Sequence, residues 1–235
     1  MRNTKNIALL MGNNSYVGRE YANQLIKQKV NFDILIFGKK LTNKIDMDRV
    51  KNFWKPKSQS QVLKKRNSIF FEKVNSRKII NFLKKKKYYL GIQGGGLGLI
   101  EKEIIKCFKR GILNLHPGKL PEYRGSSAPE FQIKDKKKIY GSFHFINEKI
   151  DSGKLIYCKK LNLNFSSYEK MRAQIYPEMG KSLPNIIDKI LKNKIKSKNL
   201  KIYEKKYLPK KFIGKEFIQK LKLNWVDYAK YYDSK

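Results

Sequence analysis

Histidine and cysteine are almost absent: the 235 residues hold two of each. Cys107 and Cys158 stand far apart in the chain, which argues against a disulfide framework and against a thiolate zinc site. Two histidines are too few for a His-ligated metal site, so no metal is expected. Long apolar runs are missing as well. None approaches the roughly 18 residues of a membrane span. Ile7 to Met11 is also too short for the core of a signal peptide. The expected location is the cytoplasm, with no membrane as a partner.

Charge of one sign is scarce. Against 54 Lys and Arg there are 19 Asp and Glu, leaving a formal net charge of +35. Such a balance raises a nucleic acid or an anionic membrane as a partner. Arginine, the residue suited to bidentate phosphate recognition, supplies only 8 of those 54 cations, and the lysines are spread along the chain. With abundant Ile, Asn and Tyr, this reads as an AT-rich coding bias that leaves a solvated lysine surface. Nucleic acid is therefore not the expected partner, although the positive field favours anionic small molecules.

What is present is an alternating strand and helix pattern. Hydrophobic content of 40% supports a buried core in one substantial α/β domain with an appendage. Ile7–Met11 reads as a strand, Val17 to about Gln28 as a helix and Phe32–Phe37 as a second strand. This is the opening of a parallel, doubly wound sheet. The intervening Gly12-Asn13-Asn14-Ser15 loop is neither a dinucleotide fingerprint nor a Walker motif. Its amides at a helix start either bind a phosphate or form an ordinary turn.

Residues 38–67 read as a long loop with a short helix around Asp46–Trp54. Ser68–Phe71 is a third strand. Asn75-Ser76 caps a helix through about Lys87, with Ile79, Ile80 and Leu83 facing the core. Tyr88–Gln93 is the next strand, followed by Gly94, Gly95, Gly96, Leu97, Gly98 and Leu99, a run whose glycines let the backbone approach a ligand closely. Ile100–Arg110 reads as a helix ended by Gly111.

The most informative stretch starts there. Residues 111–116 form a short apolar strand stopped by Pro117, so Asn114 and His116, two apart, project together from its end. An amide and an imidazole side by side suit a reacting carbonyl, one donating to a developing oxyanion and the other donating or moving a proton. A second strand, Ile139–Ile146, enters a polar loop carrying Asp151, which can orient or charge-balance His116 if the loop folds back. His144 on that strand reads as a packed structural histidine. Arg124 either meets an anionic group or pairs with a nearby carboxylate.

Asn-x-His-Pro-x-x-Leu-Pro-x-Tyr-x-Gly from Asn114, followed by His-Phe-x-x-Glu-x-Ile-Asp-x-Gly from His144, resembles the folate-dependent formyltransferase family. The resemblance implies a Rossmann-like, mostly parallel twisted sheet with helices on both faces and a helical C-terminal extension. It implies that Asn114, His116 and Asp151 are catalytic and that 10-formyltetrahydrofolate is the donor. It assigns Gly94, Gly95, Gly96, Leu97, Gly98 and Leu99, with Ile150 and Asp151, to the folate pocket. It places Gly12, Asn13, Asn14, Ser15, Pro117, Gly118 and Arg124 toward a small-molecule amine acceptor that carries a phosphate, glycinamide ribonucleotide-like acceptors being the favoured type.

From Ser166 the pattern changes. Ser166-Ser-Tyr-Glu169 is read as a capping box, opening a helix that Pro177 and Pro184 should kink or divide. The expected division is therefore 1–165 for the catalytic domain and 166–235 for a helix and a basic, Tyr-rich tail packed on it. The Gly12 loop and Tyr176-Pro177 resemble enzymes acting on glycinamide ribonucleotide. Arg172, however, stands where those enzymes carry a ribose-binding Glu. Tyr123-Arg-Gly125, the 38–67 insertion and that replacement point to an amino-sugar acceptor instead. A nucleic-acid-binding protein on an inactive formyltransferase fold is the alternative of another class. The oligomeric state is left open, a homodimer being one option.

Overall fold

The computed structural model describes residues 5–38, 52–200 and 215–233. Its first strand, β1 (Ile7–Gly12), is buried throughout and lies in the interior of the sheet. Ile7, Leu9 and Met11 enter one core while Ala8 and Leu10 enter another, because successive side chains of a strand point to opposite faces. A strand apolar on both faces needs a layer of helices on each. α1 (Tyr16–Lys27) starts at Ser15, whose side chain accepts from the Gly18 amide. β2 (Asp33–Phe37) then pairs in parallel with β1.

After β2 the next elements are α2 (Gln59–Leu63), β3 (Ser68–Phe71), α3 (Arg77–Lys86) and β4 (Leu90–Gln93). Next come α4 (Lys102–Lys106), β5 (Ile112–His116), α5 (Ala128–Lys134), β6 (Tyr140–Phe145) and β7 (Leu155–Lys160). The last elements are α6 (Tyr168–Leu191), α7 (Lys215–Leu223) and α8 (Trp225–Asp233). The seven strands lie in the order β3-β2-β1-β4-β5-β6-β7. The first five are mutually parallel, and β6 runs antiparallel to both of its neighbours. This is the α/β, mostly parallel sheet that the strand and helix pattern implied.

Tyr21 and Leu25 of α1, with Met171, Ile175, Met179 and Leu183 of α6, fill one face of the sheet. Ile79 and Leu83 of α3, Ile104 of α4 and Phe108 fill the other. Burying each such large apolar side chain contributes roughly 1.5–3 kcal/mol. Leu221 and Trp225 of the last two helices join the first core, and the Trp225 indole donates to the Phe165 carbonyl at 2.5 Å. Among the described residues, no helix is long and apolar enough to cross a membrane.

Several local expectations are corrected. α6 is not divided at Pro177 or Pro184 but continues as one helix past both. Its apolar side is buried along its length against α1 and the sheet, and this packing outweighs two missing backbone bonds. Its N-cap is Ser167, which accepts from the Lys170 amide, so the capping box expected one residue earlier does not form. α4 is five residues rather than eleven, because the amides of Lys109 and Arg110 turn away to the carbonyls of Tyr88 and Tyr89. Ser76 makes no side-chain cap, and Asn75 instead clasps the Leu99 carbonyl and the Glu101 amide. Ile80 is only partly buried. α2 was not foreseen in the stretch read as loop, and most of the helix expected at Asp46–Trp54 lies outside the described residues.

The strand order reverses between β1 and β4, and there the loops that follow the two strands meet. The Gly12 amide donates to Gly95 O at 2.9 Å and Ser15 Oγ to Gly94 O at 2.7 Å. A crevice at the carboxyl ends of such strands is where ligands settle in open α/β sheets.

Candidate active site

β5 ends in that crevice, and its pairing with β6 builds the site. Asn114 lies opposite His144 and His116 opposite Ser142, so one face of two strands gathers an amide and two imidazoles. The Asn114 Nδ2 and His144 Nε2 are 3.1 Å apart. His144 Nδ1 faces the Phe145 carbonyl at 3.1 Å. A carbonyl only accepts, so Nδ1 carries the proton and Nε2 is left to accept from Asn114. One amide hydrogen of Asn114 is thereby engaged and the other remains for a ligand.

Asp151 arrives from the loop between β6 and β7. Its backbone is left-handed (φ 48°), a conformation that Asp tolerates better than most residues. Three contacts hold the loop. Asp151 Oδ2 accepts from the Gly125 amide at 2.9 Å, and Arg124 donates from Nε and Nη2 to the Ile150 carbonyl at 3.1 and 2.6 Å. Gly153 lies so close to β6 that an added Cβ would sit 1.7 Å from Phe145 O. The carboxylate then lies beside both imidazoles, with Oδ2 3.3 Å from His116 Nδ1 and Oδ1 3.6 Å from His144 Nε2.

His116 is 3% exposed, and burial pushes its pKa below the ordinary imidazole value, against the opposing pull of Asp151 and the Tyr123 carbonyl. Its Nε2 lies 2.6 Å from Tyr123 O and its Nδ1 3.3 Å from Asp151 Oδ2, so both ring nitrogens face groups that only accept. Although burial alone would raise the Asp151 carboxyl, His116, His144 and the Gly125 amide hold it well below the usual carboxylate range. The group is therefore ionised at neutral pH. Gly118 leaves room for this packing, since a Cβ there would come within 2.6 Å of His116 Nε2.

A profile described as Formyl transferase matches residues 5–187. The chain belongs to the formyl transferase family. Over 140 residues it is 31% identical to the Bifunctional polymyxin resistance protein ArnA of Wigglesworthia glossinidia brevipalpis, covering 57% of this chain and 21% of the relative. A sugar N-formyltransferase from Shewanella sp. is similar with a TM-score of 0.59 at 19% identity, over 86% of this chain and 76% of that one. Glycinamide ribonucleotide transformylase 1 from Symbiobacterium toebii gives 0.60 at 16%, over 85% and 96%. At these identities the two structures show a shared fold. The chain spans less than half the length of the curated relatives it matches.

In this family member the foreseen residues separate into groups. Asn114, His116 and Asp151 come together as described. Gly94 to Leu99 line the next loop, where Gly95, Gly96 and Gly98 have positive φ. A Cβ at Gly98 would meet open space, Leu99 is 58% exposed and Ile150 36%, while Lys102 of α4 pairs with Glu148 of the β6–β7 loop at 3.2 Å. The loop thus presents open glycine backbone beside exposed apolar side chains. Arg124 is buried, with its guanidinium on the Ile150 carbonyl. Pro117 and Gly118 are buried, with carbonyls accepting from Gln132 and Ser142. Among the described residues, no group of three or more His, Cys, Asp or Glu is placed to hold a metal.

His144 is packed, as expected, at 1% exposure, and its ring also contacts Asn114. The strand register could have shown this, since antiparallel pairing of β5 with β6 sets position 144 opposite 114. Arg172 also gains a reason. It lies 2.7 Å from Glu130 in the interior, and Tyr168 donates to the same carboxylate at 2.8 Å. Burial would raise the Glu130 pKa, but Arg172 and Tyr168 hold it below the usual range.

Proposed function

We propose that this protein transfers a formyl group from 10-formyltetrahydrofolate to the primary amine of a small acceptor. The observation that carries the reading is the joined set Asn114–His144 and His116–Asp151 at the end of β5. The glycine wall from Gly94 to Leu99, with Ile150, would hold the folate, which supplies an activated formyl carbonyl.

The free amide hydrogen of Asn114 is aimed to donate to the carbonyl oxygen as it gains negative charge. His144 holds that amide in its donating orientation and acts as a positioning residue. His116, paired with Asp151, takes the proton lost by the attacking nitrogen. The adjacent Asp151 stabilises the imidazolium so formed. Burial of His116 and His144 keeps bulk water from these hydrogen bonds.

Two acceptor types stay in view. The Tyr176-Pro177 helix weighs toward a glycinamide ribonucleotide-like amine. Arg172 locked to Glu130 in place of a ribose-binding Glu weighs toward an amino sugar carried on a nucleotide. The test is tetrahydrofolate release from 10-formyltetrahydrofolate across a panel of both acceptor types. Turnover with one class, lost in Asn114→Ala and His116→Ala, is expected. No turnover with any amine, together with salt-sensitive RNA binding, would overturn the reading.

A further inference from the structure

A loop entering a helix N-terminus is a ready anion site when its amides point outward. Here the amides from Gly12 to Ser15 all have partners within the protein. Gly12 donates to Gly95 O at 2.9 Å, Asn13 to Phe37 O at 2.8 Å and Ser15 to Gly12 O at 2.9 Å. The Asn14 amide, turned by a left-handed backbone (φ 60°), donates to Gln59 Oε1 at 2.5 Å. The same Gln59 returns a bond, Nε2 to Asn13 Oδ1 at 2.8 Å.

We infer that Gln59 is a specificity-determining residue that closes the Gly12–Ser15 loop to phosphate, so that the acceptor is bound without a phosphate group at the start of α1. The carboxamide offers an acceptor to one partner and a donor to the other. A phosphate dianion could satisfy the Asn14 amide but would present only lone pairs to Asn13 Oδ1. Gln59 does not reach the loop by chance placement of a surface chain. It is the first residue of α2, whose start is fixed by the Ser58–Gln61 capping box and whose Val62 is buried. Five residues earlier, Trp54 donates to Glu20 of α1 at 3.2 Å and stacks on Tyr176 of α6 at 6.4 Å. The segment is thus pinned over α1 and α6, and it holds the carboxamide in place. The inference rests on the formyl-transfer reading for the word acceptor alone, since closure is a property of the loop.

The experiment is a titration of the whole protein with inorganic phosphate, followed at the backbone amide resonances of Asn14 and Ser15. In the wild type these resonances stay still, while weak contacts with surface lysines shift other peaks. In Gln59→Ala they move, with apparent affinity about tenfold or more above the wild type. Gln59→Glu keeps an acceptor on the Asn14 amide and adds a negative charge, so it stays closed. Wild-type Asn14 responding as strongly as in Gln59→Ala, or no gain in Gln59→Ala, would overturn the assignment. The titration needs no turnover, so it fails or succeeds independently of the tetrahydrofolate-release assay.

Discussion

Asp151→Asn removes one charge and almost no volume, which makes it the most telling single change. The carboxylate lies 3.3 Å from His116 Nδ1 and is 12% exposed. A unit pair at that separation interacts by about 5 kcal/mol at an effective dielectric constant of about 20. If the whole of it were lost only when the imidazolium forms, the rate would fall by about 10⁴-fold, and partial relaxation sets the expected range at about 10²–10⁴-fold in kcat. Stability should change in a pH-dependent way. The folded-state pKa of Asp151 is depressed, so its contribution is present above the unfolded value and disappears as pH falls through the folded one. At pH 7 the variant should therefore lose about 1.5–3 kcal/mol, the worth of hydrogen bonds to a charged group, and near pH 2 the gap should narrow. Single-turnover formyl transfer and denaturant unfolding at both pH values measure the two effects. A variant with near-wild-type kcat would refute the role given to the carboxylate, even if its stability fell as expected.

Other expectations follow from particular contacts. His144→Phe removes the acceptor for Asn114 and should lower kcat about 10- to 100-fold with little change in KM for the amine, whereas His144→Gln should keep more of the rate. Because His116 works as a base with a lowered pKa, the acid limb of kcat/KM should have its midpoint below about 6.5, with activity rising as pH climbs through it. Gly153→Ala places a Cβ 1.7 Å from Phe145 O, so the loop must shift, and thermal unfolding should show a loss of about 2 kcal/mol or more alongside lost activity. Arg172→Met strands the buried Glu130 carboxylate and should cost about 3–5 kcal/mol in denaturant unfolding, while Glu130→Gln with Arg172→Met should recover most of it.

The parts of the fold that a sequence shows are those governed by local period. β1, β2 and β5 are short apolar runs bounded by Gly or Pro, and their positions follow from that pattern alone. Asn114 and His116 were legible because two-residue spacing on a strand settles which side chains share a face. Their partners were less so. His144 sits about 30 residues away, and only the register of β5 against β6 turns it from a packed histidine into the ring that orients Asn114. The continuity of α6 through two prolines is likewise a tertiary effect, since the packing that outweighs the missing bonds comes from α1 and the sheet. Gln59 was invisible for a related reason. An amide side chain in a charged, aperiodic stretch carries no signal until the chain folds it onto Asn13 and Asn14.

The central claim is that Asn114, His116 and Asp151 perform formyl transfer from a folate donor. Its most direct test compares tetrahydrofolate release by the wild type and by His116→Ala, with 10-formyltetrahydrofolate and the acceptor that supports turnover. The account predicts steady release by the wild type and a loss of at least about 10²-fold in a variant that remains folded. Undiminished release by folded His116→Ala would contradict it.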